Sequence, residues 1–136
     1  MLTPRQLQLL QTLVNRIIPA DDDPGGWEGG VGAYLARQFE GDLKAMLPIY
    51  ALGLDALDRE SHAVYNAPFD RLPTTVQDEL LARIEAGKIT TAWPIDPVLW
   101  FRRVVDHCAE GYYSDPANGG NLDAVSWQMI GFEVRE

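Results

Sequence analysis

The chain has 136 residues, and its 11 lysines and arginines against 20 aspartates and glutamates give a net charge of −9. That length suits one domain, and the negative charge makes nucleic acids and anionic membranes poor partners, because both are negatively charged themselves. The single cysteine excludes an intrachain disulfide, a four-thiolate zinc site and a Cys-x-x-Cys redox pair, and no apolar run is long enough to span a bilayer.

The first predicted helix begins after Thr3. Thr3 and Gln6 have the spacing of a capping box, and Pro4 occupies the first helical position, where an N–H would have no helical partner. Pro19 ends the helix, and the aspartate- and glycine-rich residues 20–32 are predicted to form a loop. The predicted buried stripe is Leu7, Leu10, Val14 and Ile17, widened by Leu9, Leu13 and Ile18.

Two longer helices are predicted next. Residues 31–47 and 49–65 both place apolar side chains at helical intervals. Pro48 lies between them and suits either an interruption or the first turn of the second helix. A connector follows, and we expect Phe69 and Leu72 to anchor it in the core.

A shorter helix is predicted over residues 74–86. Gly87 follows it and suits the left-handed residue that commonly ends a helix. A threonine is expected to cap its start, because Thr followed by Gln or Asp three residues later satisfies the first free N–H groups. The two alternatives for this cap are Thr74 with Gln77 and Thr75 with Asp78.

Asp96 is predicted to cap the next helix, which Pro97 opens. After a loop over residues 114–120, a last short helix is predicted from Asn121 to Met129. The apolar face of the longer helix is predicted to comprise Val98, Phe101, Val105, Cys108 and Tyr112.

These patterns together predict the fold class. Helical periodicity recurs along the chain, and no alternation of period two extends over the length of a strand. The sequence therefore predicts an all-α protein: one compact domain over residues 1–136, with five to six helices joined by Pro/Gly-rich loops.

No catalytic residue is predicted. Cys108 and His107 are neighbours, and neighbours on a helix point about 100° apart, so the imidazole does not face the thiol. Cys108 lies on the apolar stripe and is expected in the core. His107 is expected on the solvated side of its helix.

No metal site is predicted either, because two histidines and one cysteine are too few for a nitrogen and sulfur site. Two acidic loops, Asp21–Asp23 and Asp115–Asp123, lack the calcium-hand spacing. They leave two alternatives open. A free-standing helical protein could bind a divalent ion or small ligand there, or an enzyme could use Asp115 and Asp123 as an acid and base pair.

Aromatic side chains are concentrated beside the Pro/Gly-rich loops. Trp and Tyr bury large areas while keeping a polar group, so they serve both cores and interfaces. As a set, they predict an interaction surface. The predicted partner-binding residues are Trp27, Tyr112, Tyr113, Trp127 and Phe132.

Three segments of the chain resemble one family. Residues 16–32, RIIPADDDPGGWEGGVG, and residues 110–132, EGYYSDPANGGNLDAVSWQMIGF, are similar to the small subunit of gluconate 2-dehydrogenase, the subunit 3 family. The helices over residues 53–87 are similar to the central helices of the same family. The C-terminal segment carries the most specific part of the resemblance.

The resemblance implies an accessory role without catalysis. In this family the small subunit supports maturation, stability and export of a large flavin-dependent dehydrogenase of the glucose-methanol-choline type, often with a cytochrome c subunit as electron acceptor. FAD is then expected in the partner, and no cofactor in this chain. An isolated small subunit with an exposed apolar face can also self-associate to cover it.

The family's loop motif is matched in part. Ala117 and Asn118 stand where relatives usually carry an aromatic residue before the glycine pair. Family members commonly carry a twin-arginine export signal, and this sequence has none before its first helix. The expected location is cytoplasmic for the sequence as it stands, and periplasmic if a signal was trimmed or a partner carries it. The matching residues, expected to have structural roles, are Asp115, Pro116, Gly119, Gly120 and Asn121.

Overall fold

The computed structural model describes residues 1–20 and 25–114. Within these residues the chain forms five α-helices and no strand, so the predicted all-α class is confirmed. The acidic stretch Asp21–Asp23 and the predicted last helix over residues 121–129 lie outside the described residues. The helices are α1 (Pro4–Ile17), α2 (Gly32–Phe39), α3 (Leu47–Tyr65), α4 (Thr74–Glu85) and α5 (Pro97–Ser114).

The start of α1 confirms the predicted capping box. The Gln6 N–H donates to Thr3 Oγ1 at 3.1 Å, and the Thr3 N–H donates to Gln6 Oε1 at 2.9 Å. The buried face is rotated from the predicted stripe, because Leu7 is 44% exposed. The residues that face the core are Gln6, Leu9, Leu10, Leu13 and Val14.

The predicted helix over residues 31–47 is wrong in its second half. Helix α2 ends at Phe39, and the chain turns through a 3₁₀ turn over Lys44–Met46 before α3 begins. Pro48 comes after this break, and it excludes a continuous helix through residues 44–48, since its ring would clash with the carbonyl four residues earlier. It lies instead in the first turn of α3, one of the two positions that the sequence allowed.

Helix α4 begins without the predicted threonine cap. The residue before the helix is Pro73, whose carbonyl accepts the N–H groups of Val76 and Gln77 at 3.0 and 2.9 Å. Both alternatives for the cap are therefore wrong, because Thr74 and Thr75 already belong to the first turn of the helix and neither side chain caps it. Gly87, with φ of 77°, confirms the predicted left-handed end.

The cap of α5 is confirmed. Asp96 Oδ1 accepts the N–H groups of Val98 and Leu99 at 3.0 and 3.2 Å. On the predicted apolar face, Phe101, Cys108 and Tyr112 are buried, whereas Val98 and Val105 are half-buried. The anchors predicted for the connector before α4, Phe69 and Leu72, are both buried.

The core lies where α1, α3, α4 and α5 meet. Helices α3 and α5 approach closely at one point, where Gly53 contacts the indole of Trp100. A Cβ atom at Gly53 would lie 2.0 Å from Trp100 Cε2, so only glycine allows this packing. Trp100 is 2% exposed and closes the core between the two helices. Among the described residues, no helix combines the length and the hydropathy needed to cross a membrane.

Candidate interaction site

A tight π-helical turn over Trp27–Val31 connects the first loop to α2. Two hydrogen bonds fix it to the end of α1: the Gly26 N–H donates to the Ile18 carbonyl at 2.7 Å, and the Trp27 N–H donates to Asn15 Oδ1 at 3.0 Å. Gly30 has a φ of 118°, a conformation that favours glycine. The glycines of this segment therefore set the shape of the turn that presents Trp27.

This turn packs against the C-terminal end of α5. A Cβ atom at Gly29 would lie 2.1 Å from Tyr112 Cε1, so the glycine leaves room for the tyrosine ring. Tyr112 is fully buried there, and Tyr113 next to it is half-buried. The two tyrosine rings meet edge to face with their centroids 6.2 Å apart.

Two more aromatic side chains in this region rest on glycines. The Trp27 ring covers Gly32, where an added Cβ atom would lie 2.7 Å from Trp27 Cε2. The Tyr34 ring covers Gly111, and its hydroxyl donates to Glu110 Oε1 at 3.1 Å. Trp27 and Tyr34 are only half-buried, so part of each ring is accessible at this end of the molecule. These accessible rings lie beside Tyr112, which is fully buried.

The predicted position of His107 is wrong. It was expected on the solvated side of α5, but it is 9% exposed, and its Nδ1 lies 2.6 Å from the hydroxyl of Tyr50. The two rings also stack, with centroids 5.7 Å apart. Helix α3 covers the side of α5 that carries His107, and Tyr50 of α3, which is distant in the sequence, contacts the imidazole there.

Burial decides the protonation of this pair. It lowers the pKa of His107 and raises the pKa of Tyr50 well above its usual value, so both are neutral near pH 7. Two neutral forms fit this bond: the tyrosine hydroxyl donates to an unprotonated Nδ1, or an Nδ1–H donates to the hydroxyl oxygen. The pair is a buried hydrogen bond between two neutral side chains.

Cys108 lies in the core as predicted. Its side chain is fully buried, and burial raises the pKa of its thiol far above the usual range. A buried thiol of this kind is poorly nucleophilic, because the thiolate is the reactive form. Among residues 1–20 and 25–114, no group of three His, Cys, Asp or Glu side chains is placed to hold a metal ion.

Glu60 is a feature that the sequence did not indicate. This fully buried carboxylate in α3 accepts hydrogen bonds from the segment between α4 and α5. Its donors are Thr90 N–H and Oγ1 at 2.6 and 2.8 Å, Thr91 N–H and Oγ1 at 3.1 and 2.5 Å, and Trp93 Nε1 at 3.2 Å.

The pKa of Glu60 reflects two opposing effects. Burial alone would raise it, but the hydrogen bonds from Thr91, Thr90 and Trp93 outweigh burial and lower the pKa to about 2. Glu60 is therefore ionised at neutral pH and fixes this connecting segment to α3. No local sequence pattern marks it, since its donors are 30 or more residues away.

The sequence model of the family described as gluconate 2-dehydrogenase subunit 3 matches residues 4–133, nearly the whole chain. The chain belongs to the gluconate 2-dehydrogenase subunit 3 family. Its resemblance to that family, carried by the loop segments and the central helices, is thereby confirmed. No curated protein and no solved structure is significantly similar to the chain.

For this member of the subunit 3 family, the structure places three of the predicted partner-binding residues. The turn carrying Trp27 packs against the end of α5 that carries Tyr112 and Tyr113. Tyr112 is core, whereas Trp27 and Tyr113 keep part of their surface accessible. The remaining predicted residues of the surface and of the loop motif lie outside the described residues: Trp127, Phe132, Asp115, Pro116, Gly119, Gly120 and Asn121.

Proposed function

We propose that this chain is a non-catalytic accessory subunit that binds a flavin-dependent dehydrogenase of the glucose-methanol-choline type and supports its maturation. The observation that carries the proposal is the family match over residues 4–133, because the family is described as a subunit of a dehydrogenase. The substrate belongs to a sugar or sugar-acid class and is bound by the partner.

The described polar core supports this role. The side chains best suited to acid–base or nucleophilic chemistry are committed to packing: Cys108 is buried, and His107 is hydrogen-bonded to Tyr50. The carboxylate of Glu60 is occupied by five donors from the segment that it fixes. These groups stabilise a helical scaffold, as expected of a protein that acts through its surface.

In the proposed complex FAD lies in the large subunit and supplies the redox chemistry, while this chain binds no cofactor of its own. A cytochrome c subunit is the proposed electron acceptor in complexes that contain one. The accessible parts of Trp27 and Tyr113 are the proposed contact with the flavoprotein, because amphipathic aromatic residues are enriched at protein interfaces.

Co-expression tests this function. The chain and the large flavoprotein encoded beside it in the native host are produced together, and separately as controls. We expect them to co-elute as a complex of defined stoichiometry that carries the visible absorption of bound flavin. The flavoprotein expressed alone should contain less flavin and less soluble, active enzyme. Equal yield, flavin content and activity with and without this chain, and no co-elution, would contradict the proposal.

A further inference from the structure

An apolar groove of about 250 Å³ lies where the start of α1 meets the end of α2 and the first residue of α3. We call it the α1–α2 groove. Six of its seven lining residues are apolar, and the seventh is the exposed Glu40. An accessible apolar surface with polar residues beside it is typical of a protein–protein contact. The apolar lining is Met1, Leu2, Leu7, Ala36, Phe39 and Leu47.

The same surface carries an apolar side chain that is accessible to a neighbouring molecule. Leu7 lines the groove and is 44% exposed. Across the groove Ala36 of α2 is exposed, and its small side chain leaves room for a larger one from outside. In a two-fold contact, residue i of one copy meets residue j of the other, and j meets i. Two copies can therefore place Leu7 of each against Ala36 of the other.

The charges on this face of α2 are also complementary to themselves. Arg37 and Glu40 are three residues apart, so they share one face of the helix. Both are exposed, and neither forms an ion pair within the described part of the chain. If α2 lies antiparallel to its copy across a two-fold axis between these positions, each Arg37 faces Glu40 of the other copy. Guanidinium groups bind carboxylates with two parallel hydrogen bonds.

A second groove, between α3 and α5, does not offer the same pairing. Its acidic lining residue, Asp96, already accepts two N–H groups as the cap of α5. Exposed apolar side chains do not distinguish the two grooves, since Leu99 lines the second one and is 51% exposed. The pairing of Arg37 with Glu40 is therefore the observation that favours a second copy at the α1–α2 groove.

We infer that the α1–α2 groove is the contact between two copies of this chain, in which Leu7 of each copy enters the groove of the other and Arg37 pairs with Glu40. A small ligand fits the groove less well. Small-molecule pockets usually measure about 300–1,000 Å³ and contain several converging polar groups, whereas this groove measures about 250 Å³ and has one polar lining residue.

The contact does not depend on the proposed function, because it lies at the other end of α1 from the surface proposed for the flavoprotein. The turn that carries Trp27 is bonded to Asn15. Asn15 follows Leu7 by eight residues, which is about 12 Å along a helix. The two contacts therefore use different parts of the molecule.

Sedimentation equilibrium of the isolated full-length chain tests the apolar part of the contact. We expect the wild type to form a dimer whose population rises with concentration. Leu7→Ser should raise the dissociation constant at least about tenfold. The matched control is Leu99→Ser, at an exposed leucine outside this groove, and it should change the constant less than about twofold. Circular dichroism melts establish that each variant is folded.

A charge exchange tests the pairing. Arg37→Glu and Glu40→Arg should each weaken the dimer at least about tenfold, because each variant places like charges opposite one another. Mixed in equal amounts, the two variants should form a heterodimer whose dissociation constant is within about threefold of the wild-type value, since both ion pairs are then restored. The matched controls are Arg59→Glu and Glu85→Arg, at exposed residues outside the groove, and each should dimerise like the wild type.

The outcomes that overturn the inference are distinct. A wild-type chain that stays monomeric up to millimolar concentration shows that no second copy binds. A dimer that Leu7→Ser leaves intact, or that Leu99→Ser dissolves instead, uses another surface. A mixture of the two charge variants that associates no better than either alone excludes the pairing of Arg37 with Glu40. If Leu7→Ser weakens only a complex with the flavoprotein, that subunit occupies the groove, and the proposed function stands.

Discussion

Two irregular segments of this protein are each held in place by one hydrogen-bond acceptor side chain, and the two side chains accept different numbers of hydrogen bonds. The turn carrying Trp27 is fixed by the neutral side chain of Asn15, which accepts one backbone N–H at 3.0 Å. The segment before α5 is fixed by the buried carboxylate of Glu60, which accepts from two backbone N–H groups and three side chains.

In or beside each segment, a tryptophan lies near a glycine of a helix. Trp27 rests on Gly32 and stays half-buried, whereas Trp100, which meets Trp93 at 5.8 Å, closes over Gly53 in the core. The comparison indicates that a Trp–Gly contact does not by itself define core or surface. The number of elements that converge on the ring decides, since Trp100 lies where α3, α5 and the preceding segment meet.

The largest expected effect is at Trp100. Replacement of Trp100 by Ala should lower the free energy of unfolding by about 3–5 kcal/mol, because it removes a fully packed indole and leaves a cavity against Gly53. Urea denaturation measures the change. Leu99→Ala, at the exposed neighbouring residue, is the control and should cost less than about 1 kcal/mol. Equal losses in the two variants would contradict the assignment of Trp100 to the core.

The next effect is at Glu60, and it depends on pH. With a folded pKa of about 2 against 4.5 for an ordinary glutamate, Glu60 stabilises the folded state by about 3 kcal/mol above pH 4.5. Because the folded pKa is lowered, this contribution is lost as pH falls from about 4.5 to about 2. Glu60→Gln should therefore destabilise the protein at pH 7 and lose less stability over that interval.

Urea midpoints between pH 2 and 7 measure this difference, with Glu85→Gln at an exposed residue as the control. The wild type and the Glu60→Gln variant should also share a separate loss of folding stability that begins as the pH falls below about 6.5. Its cause is His107, which is buried in its neutral form and whose pKa is lowered from 6.5. A Glu60→Gln variant with the same pH profile as the wild type between 4.5 and 2 would show that the carboxylate does not hold the segment.

Asn15 is expected to contribute less than Glu60. Asn15→Ala removes one neutral hydrogen bond to the Trp27 N–H, and it should lower the free energy of unfolding by about 1 kcal/mol, without dependence on pH. Thermal unfolding measures it, and Gln11→Ala, at an exposed residue of the same helix, is the control. If Asn15→Ala lowered the free energy of unfolding as much as Glu60→Gln does, the inference that Glu60 holds its segment more strongly than Asn15 would be wrong.

The smallest effect on stability is expected at Trp27. Trp27→Ala should change the free energy of unfolding by no more than about 1 kcal/mol, because the ring is half-buried on a turn, but it should weaken the complex with the flavoprotein at least about tenfold. Leu7→Ala, an exposed apolar residue on α1, is the control for binding. A large fall in melting temperature would show that Trp27 belongs to the core instead.

Much of the candidate site was predictable only as a set of residue types. The aromatic residues beside glycines predicted an interaction surface, and Trp27 and Tyr113 keep accessible surface there. That Tyr112 fills the space over Gly29, while its neighbour remains partly exposed, follows from the approach of the turn to α5. No local pattern distinguishes adjacent tyrosines by burial.

The sequence by itself determined the features that act over a few residues. The Thr3 capping box, the Asp96 cap, the left-handed Gly87 and the all-α class follow from short-range hydrogen bonding and helical periodicity. Family membership was likewise readable from contiguous segments.

Only the tertiary structure decided the rest. His107 became buried because Tyr50, 57 residues away, covers it, and Glu60 gained its donors from residues at least 30 positions later. Trp100 became part of the core because it closes over Gly53 of α3, while Leu99, one residue earlier, remains exposed. Burial and pairing depend on which distant elements meet, and that information is spread along the whole chain, so local patterns in the sequence do not contain it.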